Sequence, residues 1–339
     1  MAGRADWMSG RYGLMTHWLF PDVGCRRGKR LADLNEAVER FDVDALVAGV
    51  DAAGADWFIF TIGQNTGYYF SPNEVIDRRA GAGHCSKRDL VGDIARAVHR
   101  KGKRFLAYLP CEVAGNKTMQ AGFEWNTAEG TSQDRFQTLY LEAARAWALQ
   151  FGRNLDGWWI DGCYDWQGFH KSKMRWGEWC AALRAGNPDA ALGFNDGSLA
   201  LGIENPLTPM QDYLAGETDM IMDGKLRFGR KKGFSFVAPG WKNAGGTSCQ
   251  WHSLLPIDCR DMNVTYPDDQ LCNWMHEFDG EMFPPRFSDD NLFSFVRSAL
   301  SAGGAVTLNC GSCQEGFLGE KTVEHLVRLR ETLRRMTHT

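Results

Sequence analysis

Asn154-Leu155-Asp156-Gly157-Trp158-Trp159-Ile160-Asp161-Gly162-Cys163-Tyr164-Asp165-Trp166 is the stretch whose reading decides the fold. Residues 155–160 read as a short buried strand, and it breaks at Asp161-Gly162, where a turn begins. A carboxylate thus emerges at the C-terminal end of a strand, among tryptophans. That is where parallel α/β sheets and barrels carry chemistry. A strand-terminal Asp also suits a helix cap or a turn, so the surrounding chain has to decide. Successive side chains alternate in direction, so at most one of Trp158 and Trp159 shares the interior with Asp161, and Ile160 takes the other side.

Working outward, strand and helix alternate. Residues 11–18 read as a strand ending at His17-Trp18. Phe41, Val43, Leu46, Val47 and Val50 recur at helical spacing over 42–53, Gly54 stops that helix, and 55–62 is an apolar strand. Leu90, Ile94, Ala97 and Val98 share one face of a helix over 87–101; Gly102 ends it, and 104–109 is the next strand. A long helix from 132 or 133 to 149 delivers the chain to the Asp161 strand. Beyond it come a helix over 173–185 and a strand over 191–194 that ends at Asn195-Asp196-Gly197. Periodicity fades between 198 and 290, where strands six and seven are expected at 220–222 and 234–237. A helix over 292–301, a strand over 305–308 and a helix over 322–336 complete the pattern. Such alternation implies parallel strands joined by helical crossovers. At 339 residues, with no repeat or linker, the chain suits one domain, a closed (β/α)8 TIM-like barrel over 1–339.

Composition narrows the partners. A hydrophobic fraction of 44% supplies a large core, and a net charge of -4 gives no electrostatic reason to expect nucleic acid or an anionic membrane. No run approaches the roughly 18–20 apolar residues that span a bilayer. Thirteen tryptophans and 20 phenylalanines suit a pocket that stacks on flat apolar faces such as those of sugar rings. The ten cysteines are scattered, and Cys310-Gly311-Ser312-Cys313 has no second pair at zinc-finger spacing. Together with an N-terminus that lacks an apolar signal core, this favours mostly free thiols in a reducing, cytoplasmic setting. No His-x-His or His-Glu-x-x-His spacing is present, and neither metal nor cofactor is expected.

In a barrel, the residues just past each strand converge on one face. Here they are His17 and Trp18, Gln64 and Asn65, Glu112, Asp161 and Asp165, Asn195 and Asp196, Glu217, and Asn309. Apolar strands with a polar, carboxylate-rich mouth fit a neutral polyhydroxylated ligand. Two carboxylates across such a pocket are the minimum for glycoside hydrolysis, one as nucleophile or base and one as acid.

The chain resembles the family 29 glycoside hydrolases, the retaining α-L-fucosidases. Arg11-Tyr12-Gly13-Leu14-Met15-Thr16-His17-Trp18 is similar to that family's opening Lys-Phe-Gly-x-x-x-His-Trp-Gly. Ala53-Gly54-Ala55-Asp56-Trp57 resembles its Ala-Gly-Ala-Lys-Tyr turn, and Gly102-Lys103-Arg104-Phe105-Leu106-Ala107-Tyr108 its next helix-to-strand step. Trp159-Ile160-Asp161-Gly162 resembles its Trp-Phe-Asp-Gly, and Ser301-Ala302-Gly303-Gly304-Ala305-Val306-Thr307-Leu308-Asn309 its Ser-Lys-Gly-Gly-Asn-x-Leu-Leu-Asn. The resemblance implies that Asp161 is the nucleophile. Asp212-Tyr213-Leu214-Ala215-Gly216-Glu217 is similar to the family's Gly-Asp-Phe-x-x-x-Glu, which makes Glu217 the acid/base, with Glu277, Glu281 and His252 as substitutes. The departures are equally specific. Where the family has Lys-His-His-Asp-Gly, this chain has Gly63-Gln64-Asn65-Thr66-Gly67, and the family's C-terminal β-sandwich has no counterpart.

The expectation is therefore a retaining exo-glycosidase for an α-L-fucoside or a related sugar. Asp161 and Glu217 carry the chemistry, and His17, Trp18, Gln64, Asn65, Glu112, Trp159, Asn195 and His252 bind substrate. A glycosidase for another sugar with a rebuilt subsite, and a non-catalytic carbohydrate-binding barrel, are the alternatives.

Overall fold

The computed structural model describes residues 3–64, 66–128, 130–165, 170–195, 206–217, 220–222, 225–228, 231–234, 249–259 and 272–336. Eight parallel strands make the main sheet: β1 (Tyr12–Thr16), β2 (Trp57–Thr61), β3 (Arg104–Pro110), β4 (Gly157–Asp161), β5 (Ala191–Phe194), β6 (Gly216–Glu217), β7 (His252–Pro256) and β8 (Ala305–Asn309). Their order is β5-β4-β3-β2-β1-β8-β7-β6, with every ladder parallel. The first and last thirds of the chain thus meet where β1 pairs with β8.

Helices supply the crossovers. They are α1 (Leu34–Glu39), α2 (Val43–Ala52), α3 (Glu74–Ala80), α4 (Leu90–Arg100), α5 (Lys117–Gly122), α6 (Asp134–Phe151), α7 (Trp176–Leu183), α8 (Asp289–Ser301) and α9 (Glu320–Met336). Several begin at carboxylate caps: Asp42 accepts from the Ala45 N–H and Asp89 from the Gly92 N–H, each satisfying an amide that the first turn leaves open. Their apolar faces, such as Leu90, Ile94, Ala97 and Val98 of α4, cover the outer side of the sheet.

The sixth and seventh strands are not where the sequence pattern put them. Met220–Met222 pairs antiparallel with Lys225–Phe228, which pairs antiparallel with Lys231–Phe234. Two-residue connections explain this, because they permit a hairpin and cannot carry a parallel crossover of a dozen residues. The expected strand at 234–237 runs into residues outside those described. β6 is two residues long and has no periodicity to read.

β5 and β6 stand at the two edges of the curled sheet. The segment before β6 lies between β5 and β7 at their N-terminal ends. There the Asp212 N–H donates to the Leu192 carbonyl at 2.8 Å, and the Gln250 N–H to the Asp212 carbonyl at 2.8 Å.

Inside the curl a second apolar cluster gathers Met15, Trp57, Ile59, Leu106, Trp159, Tyr213, Ala215 and Leu254. Gly13 makes it possible, since a Cβ there would fall 2.1 Å from the Trp57 indole. Ala5, which precedes the short helical turn Asp6–Met8, and Met8 within it close the floor of this cluster. Met8 is fully buried, so Met8→Ala is expected to lower the unfolding free energy by about 2–5 kcal/mol, read by urea denaturation.

A charged knot ties β3 to β4 at the same end. Asp156 accepts from His99 Nε2 at 2.7 Å, Arg104 Nη1 at 2.8 Å and the Phe105 N–H at 2.9 Å. Burial alone would raise its pKa, and these donors bring it below the usual carboxylate range. A depressed carboxylate stabilises the fold above its unfolded pKa, near 3.9, and loses that contribution as pH falls through the lower folded value. The melting temperature is therefore expected to drop as pH is taken from about 5 to about 3, and by less in Asp156→Asn.

Candidate functional site

Side-chain alternation with a period of two carries the interior face of each strand to the rim. Met15 leads to His17, Trp159 to Asp161, Ala215 to Glu217 and Thr307 to Asn309, while Tyr108 of β3 and Asn195, just past β5, face the same space. Gly162 turns the chain directly after Asp161. Its φ is +80°, and a Cβ there would meet Glu112 Cγ at 3.0 Å, so both the conformation and the close approach call for glycine.

Asp161 is half-buried and accepts from three side chains. Tyr108 donates to Oδ2 at 2.6 Å. Tyr164 and Asn195 Nδ2 donate to Oδ1 at 2.8 and 2.6 Å. Burial first, and the neighbouring Asp161 second, hold both phenols well above the ordinary tyrosine pKa, so they remain donors. These donors fix the carboxylate's orientation on both oxygens.

Asn195 is fully buried and uses the same nitrogen twice, donating to Asp161 Oδ1 and to Glu217 Oε1. Two carboxyl oxygens bonded to one nitrogen lie no more than about 5–6 Å apart.

A second network flanks Tyr108. Gln64 Nε2 donates to the Tyr108 hydroxyl at 2.9 Å. His17 stands edge-on to the Tyr108 ring, with centroids 5.1 Å apart, and edge-on to Trp274 at 5.7 Å. His17 Nδ1 bonds Asn309 Oδ1 at 2.8 Å, and Asn309 Nδ2 donates to the Trp274 carbonyl at 2.8 Å. Burial holds His17 below the usual histidine pKa, against the opposing effects of Asn309 and Asp161.

Of the residues singled out from sequence, His17, Gln64, Asp161, Asn195, Glu217 and Asn309 come together. Others stand apart. Trp18 is fully buried in the outer core, donating to the Gln314 carbonyl at 3.2 Å and packed edge-on against Phe41 and Phe70. Trp159 is fully buried inside the curl, one interior layer below Asp161. Glu112 packs against Gly162, beside Asp161 in the chain, but is buried with its carboxylate accepting from the Ala114 N–H of its own loop. His252 begins β7 at the floor, held between the Leu214 carbonyl at 2.9 Å and Thr307 Oγ1 at 2.7 Å. Burial lowers its pKa to about 3, so it is a neutral core histidine remote from the rim. Glu277 and Glu281 are exposed, Glu281 pairing with Arg26 at 3.1 Å. Asn65 and Asp196 lie outside the described residues.

Tyr108, Tyr164 and Trp274 were missed in the sequence. Tyr108 sits within its strand rather than past it, and only the interior alternation signals it. Tyr164 follows Asp161 by three residues, close enough to fold back onto it. Trp274 belongs to a stretch without readable periodicity. Among the described residues no group of three His, Cys, Asp or Glu side chains is arranged to hold a metal, and no helix is long and apolar enough to cross a membrane.

No family model matches the chain, and no curated protein is matched by its sequence. Solved structures are. The endo-fucoidan hydrolase MfFcnA4 of glycoside hydrolase family 107 is similar with a TM-score of 0.65 at 15% identity, over 98% of this chain and 53% of that one. A family 29 α-L-fucosidase from Bacteroides thetaiotaomicron is similar with a TM-score of 0.62 at 14% identity, over 99% and 74%. α-L-Fucosidase isoenzyme 1 from Paenibacillus thiaminolyticus gives a TM-score of 0.59 at 14% identity, over 98% and 75%. The likeness is one of fold. This chain spans about half the length of MfFcnA4.

Proposed function

We propose that the chain is a retaining glycoside hydrolase of (β/α)8 architecture, with the contacts of Asp212 linking β5 to the segments that lead into β6 and β7. Asp161 is the nucleophile and Glu217 the acid/base. The observation that carries this reading is the shared Asn195 amide between Asp161 and Glu217. Retaining pairs stand about 5–5.5 Å apart and inverting pairs about 6.5–9.5 Å, so a pair bridged by one nitrogen fits retention. The fold likeness to enzymes whose names record action on fucosides and fucoidan supports an α-L-fucoside, or a related sugar, as substrate.

In the first step an Asp161 oxygen bonds the anomeric carbon, the glycosidic C–O bond breaks, and Glu217 passes its proton to the departing oxygen. In the second, Glu217 takes a proton from water, whose oxygen displaces Asp161 from the anomeric carbon. Tyr108, Tyr164 and Asn195 hold the carboxylate in line without moving a proton themselves.

The test is a panel of activated aryl glycosides, α-L-fucoside first, then α-L-galactoside, β-D-arabinoside and other pyranosides, with Asp161→Asn as control. Activated leaving groups need little protonation, so they report the nucleophile directly. Turnover that vanishes in the variant is the expected result. Silence across the panel with sugar binding retained would instead make the chain a carbohydrate-binding barrel.

A further inference from the structure

The direction of each hydrogen bond around the pocket follows from groups whose roles are fixed. The Trp274 carbonyl only accepts, so Asn309 turns its amide nitrogen toward it and its Oδ1 toward His17 Nδ1. Nδ1 therefore carries the imidazole proton, and in the neutral ring that burial favours, Nε2 holds a lone pair. On the other side, the Tyr108 phenol gives its one proton to Asp161 Oδ2. Its oxygen must then accept from Gln64 Nε2, which leaves Gln64 Oε1 turned elsewhere. Neither His17 Nε2 nor Gln64 Oε1 has a partner among the described residues. Gln64 is half-buried, and His17 is 6% exposed.

We propose that these two acceptors, flanking Tyr108 beside the Asp161–Glu217 pair, set the pocket's specificity. It takes a sugar with free hydroxyls facing them and refuses the same sugar carrying a sulfate ester or a methyl ether there. The inference rests on the glycosidase reading and adds a polarity to it. Either substituent removes the proton the acceptors need, and a desolvated acceptor left unpaired costs far more than a missing contact. Gln64 keeps a second amide proton and can also donate. Neutral His17 in this tautomer can only accept, so the position facing it is the stricter one.

The experiment is a calorimetric titration of the wild-type protein with the non-hydrolysable methyl C-α-L-fucoside and its 3- and 4-deoxy, deoxyfluoro, O-methyl and O-sulfo derivatives. The same series built on another sugar is used if the panel selects one. Fluorine accepts without donating. At the positions facing the acceptors, the fluoro compound is expected to bind as weakly as the deoxy compound, about 10- to 100-fold below the parent. Fluoro and sulfo derivatives that match the parent at every position would overturn the proposal while leaving the glycosidase reading intact. Failure to bind any parent sugar overturns both. His17→Phe keeps a ring between Tyr108 and Trp274 and removes the acceptor, and it should bring hydroxyl and fluoro affinities level. If it does not fold, the wild-type series decides alone.

Discussion

Asp161→Asn is expected to lower kcat/KM on an activated aryl glycoside by about four orders of magnitude, with the melting temperature staying within about 5 °C of wild type. The loss is large because the amide cannot form the covalent glycosyl intermediate on which retention depends. The fold should survive because the site can adjust. Three donors converge on Asp161, and an amide offers acceptance at one atom only. With the amide oxygen facing Tyr164 and Asn195, its nitrogen faces Tyr108, whose hydroxyl can rotate to accept it once Gln64 turns its amide oxygen toward the phenol proton. The rearrangement costs on the order of one hydrogen bond, about 1 kcal/mol. A second variant sharpens the result. Asp161→Gly opens space for azide, and a retaining enzyme so truncated should convert an α-aryl glycoside into the β-azide. A variant with undiminished turnover would sink the assignment.

Much of this arrangement was legible because barrels convert a one-dimensional signal into a place. The apolar run ending at Asp161-Gly162, and the similar strand ends at His17, Asn195 and Asn309, were readable from alternation and from the break in hydrophobicity. β5 (Ala191–Phe194) lies just where the pattern put it. What stayed illegible shares a cause. β6 has two residues and no period, the Met220–Met222 strand after it is apolar enough to imitate a barrel strand, and the antiparallel pairing shows only in the two-residue gaps that follow it. His252 illustrates a different limit. Its type suggested chemistry, yet it starts its strand rather than ending it, so the alternation that lifts Glu217 to the rim leaves His252 on the floor with Trp57 and Trp159. Trp18 failed similarly, because a residue one step past His17 faces the helices and not the pocket.

Glu217→Gln separates an acid/base from a residue that only braces Asn195. Removing a general acid is expected to cost about 10²- to 10⁴-fold on a substrate whose leaving group needs a proton, such as a methyl glycoside. On a dinitrophenyl glycoside the first step needs no proton, so kcat/KM should fall by less than about tenfold. The second step still lacks its base, so kcat should fall and KM fall with it as the glycosyl-enzyme accumulates, and the dinitrophenolate should appear in a burst. The basic limb of the pH–rate profile, which a general acid supplies, should disappear as well. A bracing role predicts something else. The amide that replaces the carboxyl still offers an oxygen to Asn195 Nδ2, so a residue that only braced Asn195 would tolerate the change, and both substrates would keep their rates. Glu217→Leu, which releases Asn195 from one partner, would then slow both substrates alike by loosening Asp161. An equal effect of Glu217→Gln on good and poor leaving groups, with no burst, would falsify the acid/base assignment and leave Asp161 to work with a carboxyl from elsewhere at the rim.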